Sequence, residues 1–346
     1  MNRGGMTNRP AQIFALAASA ALLLAAAPAL AALAAPGGVW TEQSPAASPP
    51  ARGFSAMACL GGDMALLFGG YDGAVRYGDT WVYDLSDDAW TNPGPASGPS
   101  ARHSHAMASL GEGWALLFGG HSGEWNGETW LYDLGANSWT NMSPATAPSA
   151  RGGHAMVHLG GGLALLFGGW NGAYNGDTWV YDLGANTWTN MNPAGAPSAR
   201  GVHAMAYLGG DRALLFGGEG DGGRNGETWV YDLSDNIWTE MSPAGAPPAR
   251  SGQAMAYLGG DQALLFGGYD GSPYDGGTWV YDLGDNTWRD KTPAGSPAAR
   301  AWHVAAALGE DRVVMFGGFS GAYRDDTWLA TGFLDRYRVY LPLVVR

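Results

Sequence analysis

The chain has 346 residues, among them 56 Gly, 20 Pro and 16 Trp, with 14% charged and 46% hydrophobic side chains and a formal net charge of −13. Gly at 56 of 346 residues is far below the one in three of a collagen helix, the 12% aromatic content is too high for a disordered chain, and so much Gly weakens helices by about 1 kcal/mol per interior site. An acidic surface repels phosphate, which excludes nucleic acid as an expected partner, and the lone Cys59 allows no internal disulfide.

At the N-terminus, Arg3 and Arg9 precede an uncharged apolar run from Ile13 to Ala27, and small-residue cleavage patterns follow at Ala29-Leu30-Ala31 and Ala32-Leu33-Ala34. This layout predicts an export signal over residues 1–35. The run is short for a bilayer span, which takes about 20 residues, so a retained anchor fits less well. The expected mature protein is secreted, periplasmic or on the cell surface, with no transmembrane span.

From there on the chain repeats itself. An Arg preceded by Ser-Ala, Pro-Ala or Ala-Ala stands at 52, 102, 151, 200, 250 and 300, at spacings of 50, 49, 49, 50 and 50 residues. After each Arg comes a strand-like stretch such as His203 to Leu208, then a Gly turn. An apolar strand follows that ends in a Gly pair, such as Ala213 to Gly218. A variable loop leads to Thr228-Trp229-Val230-Tyr231-Asp232-Leu233, and a short turn to Trp238-Thr239. These are four short strands, a to d. Strand b is apolar on both faces and strand c carries bulk on both, so each sheet must be covered on two sides. Six such sheets packed face to face around an axis form a closed β-propeller with four antiparallel strands per blade.

Closure is legible as well. Trp40 lies 12 residues before Arg52, as Trp90 does before Arg102 and Trp188 before Arg200. The mature chain therefore starts with a strand d, which is expected to complete the last blade. A competing strand d at Arg336 to Val339, around Tyr337, has the right distance from Trp328 but not the right flanks. The propeller is expected over 36–330, with an apolar C-terminal tail over 331–346. The Gly pairs are expected to adopt positive φ and to pack beneath the next strand's Trp.

With its Arg and following His, its Gly-Gly after an apolar strand, its Tyr-Asp in strand c and its Trp in strand d, the unit resembles the kelch repeat, over about Val39 to Ala330. The resemblance implies a six-bladed propeller with strand a lining the axis, and one face, built from the b–c and d–a loops, that commonly binds partners. It implies no single activity, because function sits in loops grafted on the frame.

Two sets of residues are candidates for function. Ser55, His105, His154, His203, Gln253 and His303 each stand three positions after a repeat Arg and are expected to line the channel. Four imidazoles near one axis could take Zn or Cu. A local hydrogen bond closing the turn into strand a is the simpler role, and no metal or other cofactor is expected. The b–c loops supply Tyr77, Trp125, Trp170, Tyr174, Arg224, Tyr274 and Tyr323 as candidate ligand contacts. The acid before strand c (Asp79, Glu128, Asp177, Glu227, Asp326; Gly277 in the fifth unit) is read as a turn or cap group, and the repeat Arg as a structural bond or a cation–π partner of a Trp. Cys59 is read as a small packed side chain. No nucleophile paired with a base is found. The expected function is a monomeric, non-catalytic binding module for a protein or a glycan. Two alternatives stay open: a sugar-active enzyme resembling sialic-acid mutarotases, and a structural surface-layer module.

Overall fold

A computed structural model describes residues 37–335 except Ser272 and Glu310. The expected export signal and the competing strand at 336–339 lie outside the described residues.

The described chain forms six four-stranded antiparallel sheets. Blade 1 runs outward from the axis as Ala56–Gly61, Met64–Tyr71, Arg76–Asp84 and Ala89–Thr91. Blade 3 runs as Ala155–Gly160, Leu163–Phe167, Thr178–Asp182 and Thr187–Asn190. Blade 4 adds a small hairpin, Glu219–Gly220 with Gly223–Arg224, in its b–c loop. Blade 6 takes Val304–Ala307, Arg312–Phe316 and Thr327–Thr331 from the end of the chain and Val39–Gln43 from its beginning. The borrowed strand pairs Val39 with Thr331 and Gln43 with Thr327, and Trp40 faces Ala330. Inner strands meet around the whole circle, including Ala56–Gly61 against Val304–Ala307. The ring is closed by the N-terminal strand, as its spacing predicts.

Strand b explains why the sheets stack. Ala65, Leu66, Leu67 and Phe68 are all essentially inaccessible, with alternate residues serving opposite neighbours. Leu66 and Phe68 pack towards Leu117, Tyr132 and Trp139 of blade 2, and Ala65 and Leu67 towards Val314 and Phe316 of blade 6. Each strand d Trp then reaches back one blade. The indole N–H of Trp139, Trp188, Trp238 and Trp288 donates at 3.0 Å to the hydroxyl of Thr80, Thr129, Thr178 and Thr228. Trp90 donates to Thr327 at 2.9 Å, and Trp40 on the borrowed strand to Thr278 at 3.0 Å. Six indoles thus stitch six interfaces, and the Trp from the far end of the chain does the same work as the other five.

Two details depart from the expectations. The Gly pairs do take positive φ, as at Gly69 (65°) and Gly70 (112°). What crowds them is not a Trp but the Arg carbonyl and imidazole of the next blade: a Cβ on Gly69 would lie 2.6 Å from the Arg102 oxygen and 2.9 Å from His105 Cε1. The propeller body also continues past residue 330. Strand c of blade 6 runs to Thr331, and Phe333, 1% exposed, packs with Trp40.

Candidate functional site

The b–c loops and the segments around each repeat Arg gather at one end of the ring. The anchor is the Arg, buried to within 1% exposure in every blade. In blade 1, Arg52 Nε donates to the Pro50 carbonyl and Nη1 to the Gly69 carbonyl, and the guanidinium pairs with Asp79 at 2.5 Å. Arg102 pairs with Glu128 at 2.5 Å, Arg300 with Asp326 at 2.6 Å, Arg151 with Asp177 and Arg200 with Glu227. The acid before strand c is therefore the counter-ion of the Arg and not only a turn group. It also accepts the strand c indole N–H, as Asp79 does from Trp81 at 2.8 Å. The cation–π contact of Arg52 is with Tyr77, at 3.8 Å, not with a Trp. Burial alone would raise the Asp177 carboxyl, but the bonds from Arg151 and Trp179 and the guanidinium charge more than offset it and hold its pKa below the ordinary value.

Blade 5 shows how tightly this pair is required. Where Gly277 replaces the acid, Asp275 moves in and meets Arg250 at 2.8 Å. A Cβ at Gly277 would lie 2.8 Å from that same carboxylate, so the glycine makes room for its substitute. Losing the partner of a buried ion costs about 3–5 kcal/mol. Asp177→Gly should therefore lose about that much, and adding Asn175→Asp, which copies blade 5, should recover most of it. Urea midpoints of the two variants measure this.

Directly after each Arg the backbone builds an iris. Phe54, Ser104, Gly153, Val202, Gly252 and Trp302 all have φ between 56° and 70°. The amide of each donates to the carbonyl of its counterpart in the preceding blade at 2.7–3.0 Å, from Ser104 to Phe54 around to Phe54 to Trp302. Positive φ is rare for β-branched and bulky residues and costs on the order of 1–3 kcal/mol. Val202, Phe54 and Trp302 keep it because the hydrogen-bonded circle admits no other backbone. This ring was not legible from its side chains, which differ in nearly every blade.

Beneath the iris lie the channel residues expected from sequence: Ser55, His105, His154, His203, Gln253 and His303 line a cavity of about 170 Å³ together with the iris. Their bonds are not local. His105 Nε2 meets the Phe68 carbonyl of blade 1 at 3.1 Å, and Gln253 Nε2 donates to the Phe216 carbonyl of blade 4 at 2.8 Å. His154, His203 and His303 instead set their rings edge-on against Phe118, Phe167 and Phe266 of the preceding blade at 5.4–5.5 Å, with both ring nitrogens buried and without a hydrogen-bond partner. Burial, followed by the nearby Arg charge, pushes these three imidazoles down to about 3, so they are neutral at pH 7. No three His, Cys, Asp or Glu side chains converge for a metal among the described residues.

Around the iris the aromatics form a belt. Phe54 stacks on Trp302 at 4.9 Å, and Trp302 touches Tyr274 at 6.0 Å and Phe319 at 6.2 Å. Phe54 meets His103, His103 meets His121, and His121 meets Trp125. Tyr323 packs edge-on to Phe319 and lies over Gly53 of blade 1. Arg224 lies over Tyr269 at 4.8 Å. The ring contacts thus run through blades 5, 6, 1 and 2, and Arg224 of blade 4 adjoins them. In blade 3, Trp170 and Tyr174 pair at 4.9 Å, with Trp170 37% exposed. Of the loop residues expected to touch ligand, Tyr77 is tied down by Arg52 and by its hydroxyl bond to Asp72 at 2.7 Å. Phe54, His103 and Trp302 belong to the belt but were not among the sequence candidates. Phe54 and Trp302 stand two positions after their Arg and His103 one after, and the variability of these positions from blade to blade was the available signal.

The opposite mouth is ringed by Cys59, Ser109, His158, Tyr207, Tyr257 and Ala307. The Cys59 sulfur accepts from the Gly61 amide at 3.2 Å, and burial raises its thiol pKa.

The KLHDC2/KLHL20/DRC7 Kelch-repeats domain matches residues 30–169 and again 153–331. The chain belongs to the kelch-repeat family. No curated protein matches it. The two family matches together span all six blades, and kelch propellers commonly bind proteins.

Proposed function

We propose that this kelch propeller is exported and acts as a non-catalytic module that binds a polypeptide partner on its iris face. The observation that carries the reading is the aromatic belt that runs over blades 5, 6, 1 and 2 beside the mouth. Aromatic side chains are enriched at protein interfaces and supply their anchor residues. The mouth cavity, about 170 Å³, is smaller than the roughly 300–1,000 Å³ of small-molecule sites. A broad surface with a shallow central dimple suits an extended partner better than a buried sugar.

Random peptides displayed on phage and panned against the mature protein test this. Enriched peptides should lose binding by about thirtyfold on Trp302→Ala with Tyr274→Ala, the effect of removing an anchor worth about 2 kcal/mol. Failure to enrich peptides, or binding indifferent to both substitutions, would count against this face. Export is tested by the mass of protein recovered outside the cytoplasm, which should lack residues 1–35.

A further inference from the structure

The face opposite the iris breaks its own pattern between blades 2 and 3. In four blades the a–b turn carries an Asp: Asp63, Asp211, Asp261 and Asp311. Two of these acids tie neighbouring blades, Asp63 to Arg312 at 2.6 Å and Asp261 to Arg212 at 3.1 Å. Asp311 accepts the amides of Gly332 and Leu334 at 3.0 and 2.7 Å. Blades 2 and 3 have Gly113 and Gly162 at that position. Between these two blades lies a groove with a volume of about 560 Å³. That lies within the range of small-molecule sites and is about three times the volume of the iris cavity.

The lining is specific to this groove. Strand b of blade 2 starts with Trp114, where the other blades have Met64, Leu163, Arg212, Gln262 and Arg312. Trp114 is half-buried, with Leu110 and Leu183 as apolar neighbours. His158 reaches in from blade 3. Its imidazole is bonded to the Ser109 backbone, and its buried Nδ1 has no partner. Burial lowers its pKa, so the ring is neutral at pH 7. Glu112 stands exposed at the rim. A Cβ on Gly111 or Gly161 would meet nothing within 4 Å, so the rim is open backbone.

We propose that this groove binds a neutral pyranose ring of a glycan. The apolar C–H face lies on Trp114, and hydroxyls donate to the Glu112 carboxylate. Glu112 at the rim and the strongly acidic protein repel anionic sugars. The site is independent of the iris face.

Saturation-transfer NMR and calorimetry with neutral trisaccharides built from glucose, mannose, galactose and N-acetylglucosamine are the test, with sialyllactose and argininamide as charged controls. At least one neutral sugar should bind, and sialyllactose should not. Trp114→Met installs the blade 1 residue, and Gly162→Asp restores the repeat's acid in a backbone region that Asp261 (φ 64°) already occupies. Each should weaken binding by about tenfold or more with the urea midpoint little changed, while Trp302→Ala leaves it intact. No binding by any neutral sugar, preference for argininamide, indifference to both groove variants, or loss with Trp302→Ala would overturn the proposal.

Discussion

A chain that starts at Ser44 should lose most of its folding stability. The strand Val39–Gln43 supplies the fourth strand of blade 6 and the ladder along Thr327–Thr331. Trp40, 7% exposed, packs on Phe266 at 5.0 Å and Phe333 at 6.1 Å and donates to Thr278 of blade 5. One buried Trp represents about 4–6 kcal/mol of gross apolar burial, and the lost ladder exposes an unpaired strand edge in addition. A domain has about 5–15 kcal/mol in total. The truncated chain should therefore melt at far lower urea, or never reach a cooperative baseline. A synthetic peptide of residues 37–50 added in trans should restore the transition. An unchanged midpoint would mean that blade 6 stands without the borrowed strand.

The second large effect is on pH. His154, His203 and His303 have folded pKa values of about 3, against about 6.5 in an unfolded chain. Between these values the unfolded chain binds protons that the folded one refuses. The stabilisation is fully present above pH 6.5 and is lost as pH falls towards 3. The slope approaches about 1.4 kcal/mol per pH unit for each histidine, or about 8 kcal/mol for three histidines between pH 6 and pH 4. For Asp79, Asp177 and Asp326, burial raises the carboxyl pKa but the Arg bonds outweigh it, so these acids sit below the ordinary carboxylate range and add their loss only at lower pH. The fold itself supplies the control. Gln253 occupies the same position in blade 5 and bonds the Phe216 carbonyl through its amide. His154→Gln, His203→Gln and His303→Gln together should make urea stability fall much less between pH 6 and pH 4 than in the wild type, with the remaining decline coming from His103, His105 and His158. Equal slopes in the two proteins would show that these imidazoles do not control the transition.

Period and spacing alone carried the architecture, because each unit repeats the same two-sided apolar strand and the Trp40 segment copies the end of a unit. What stayed hidden depends on contacts between copies. The Arg–acid pair joins residues 26 or 27 apart across a loop of variable length, and the move of the acid from position 277 to Asp275 looks in sequence like a simple loss. The channel residues read as local turn-closers, because nothing in the repeat says that the carbonyls met by His105 and Gln253 belong to the blade before. The iris was invisible for a different reason: no propensity places Val202 or Trp302 at φ 56°, and only the closed circle of amides imposes it. On the far face, Gly113 and Gly162 look like ordinary turn glycines. They stand out only once Asp63 and Asp261 are seen tying the neighbouring blades together.

Cross-linking the two ends of the chain tests ring closure most directly. Thr41 and Leu329 are directly paired across the borrowed strand, and paired antiparallel positions lie about 4.5–5.5 Å apart at Cα, within the span of a disulfide. In a Cys59→Ser background, Thr41→Cys with Leu329→Cys should oxidise to a single intramolecular bond, seen as one 41–329 linked peptide by mass spectrometry, and should raise the urea midpoint. Cysteines that stay reduced in the folded protein, or Leu329→Cys joining preferentially to Val339→Cys in a competing pair, would contradict closure by the N-terminal strand.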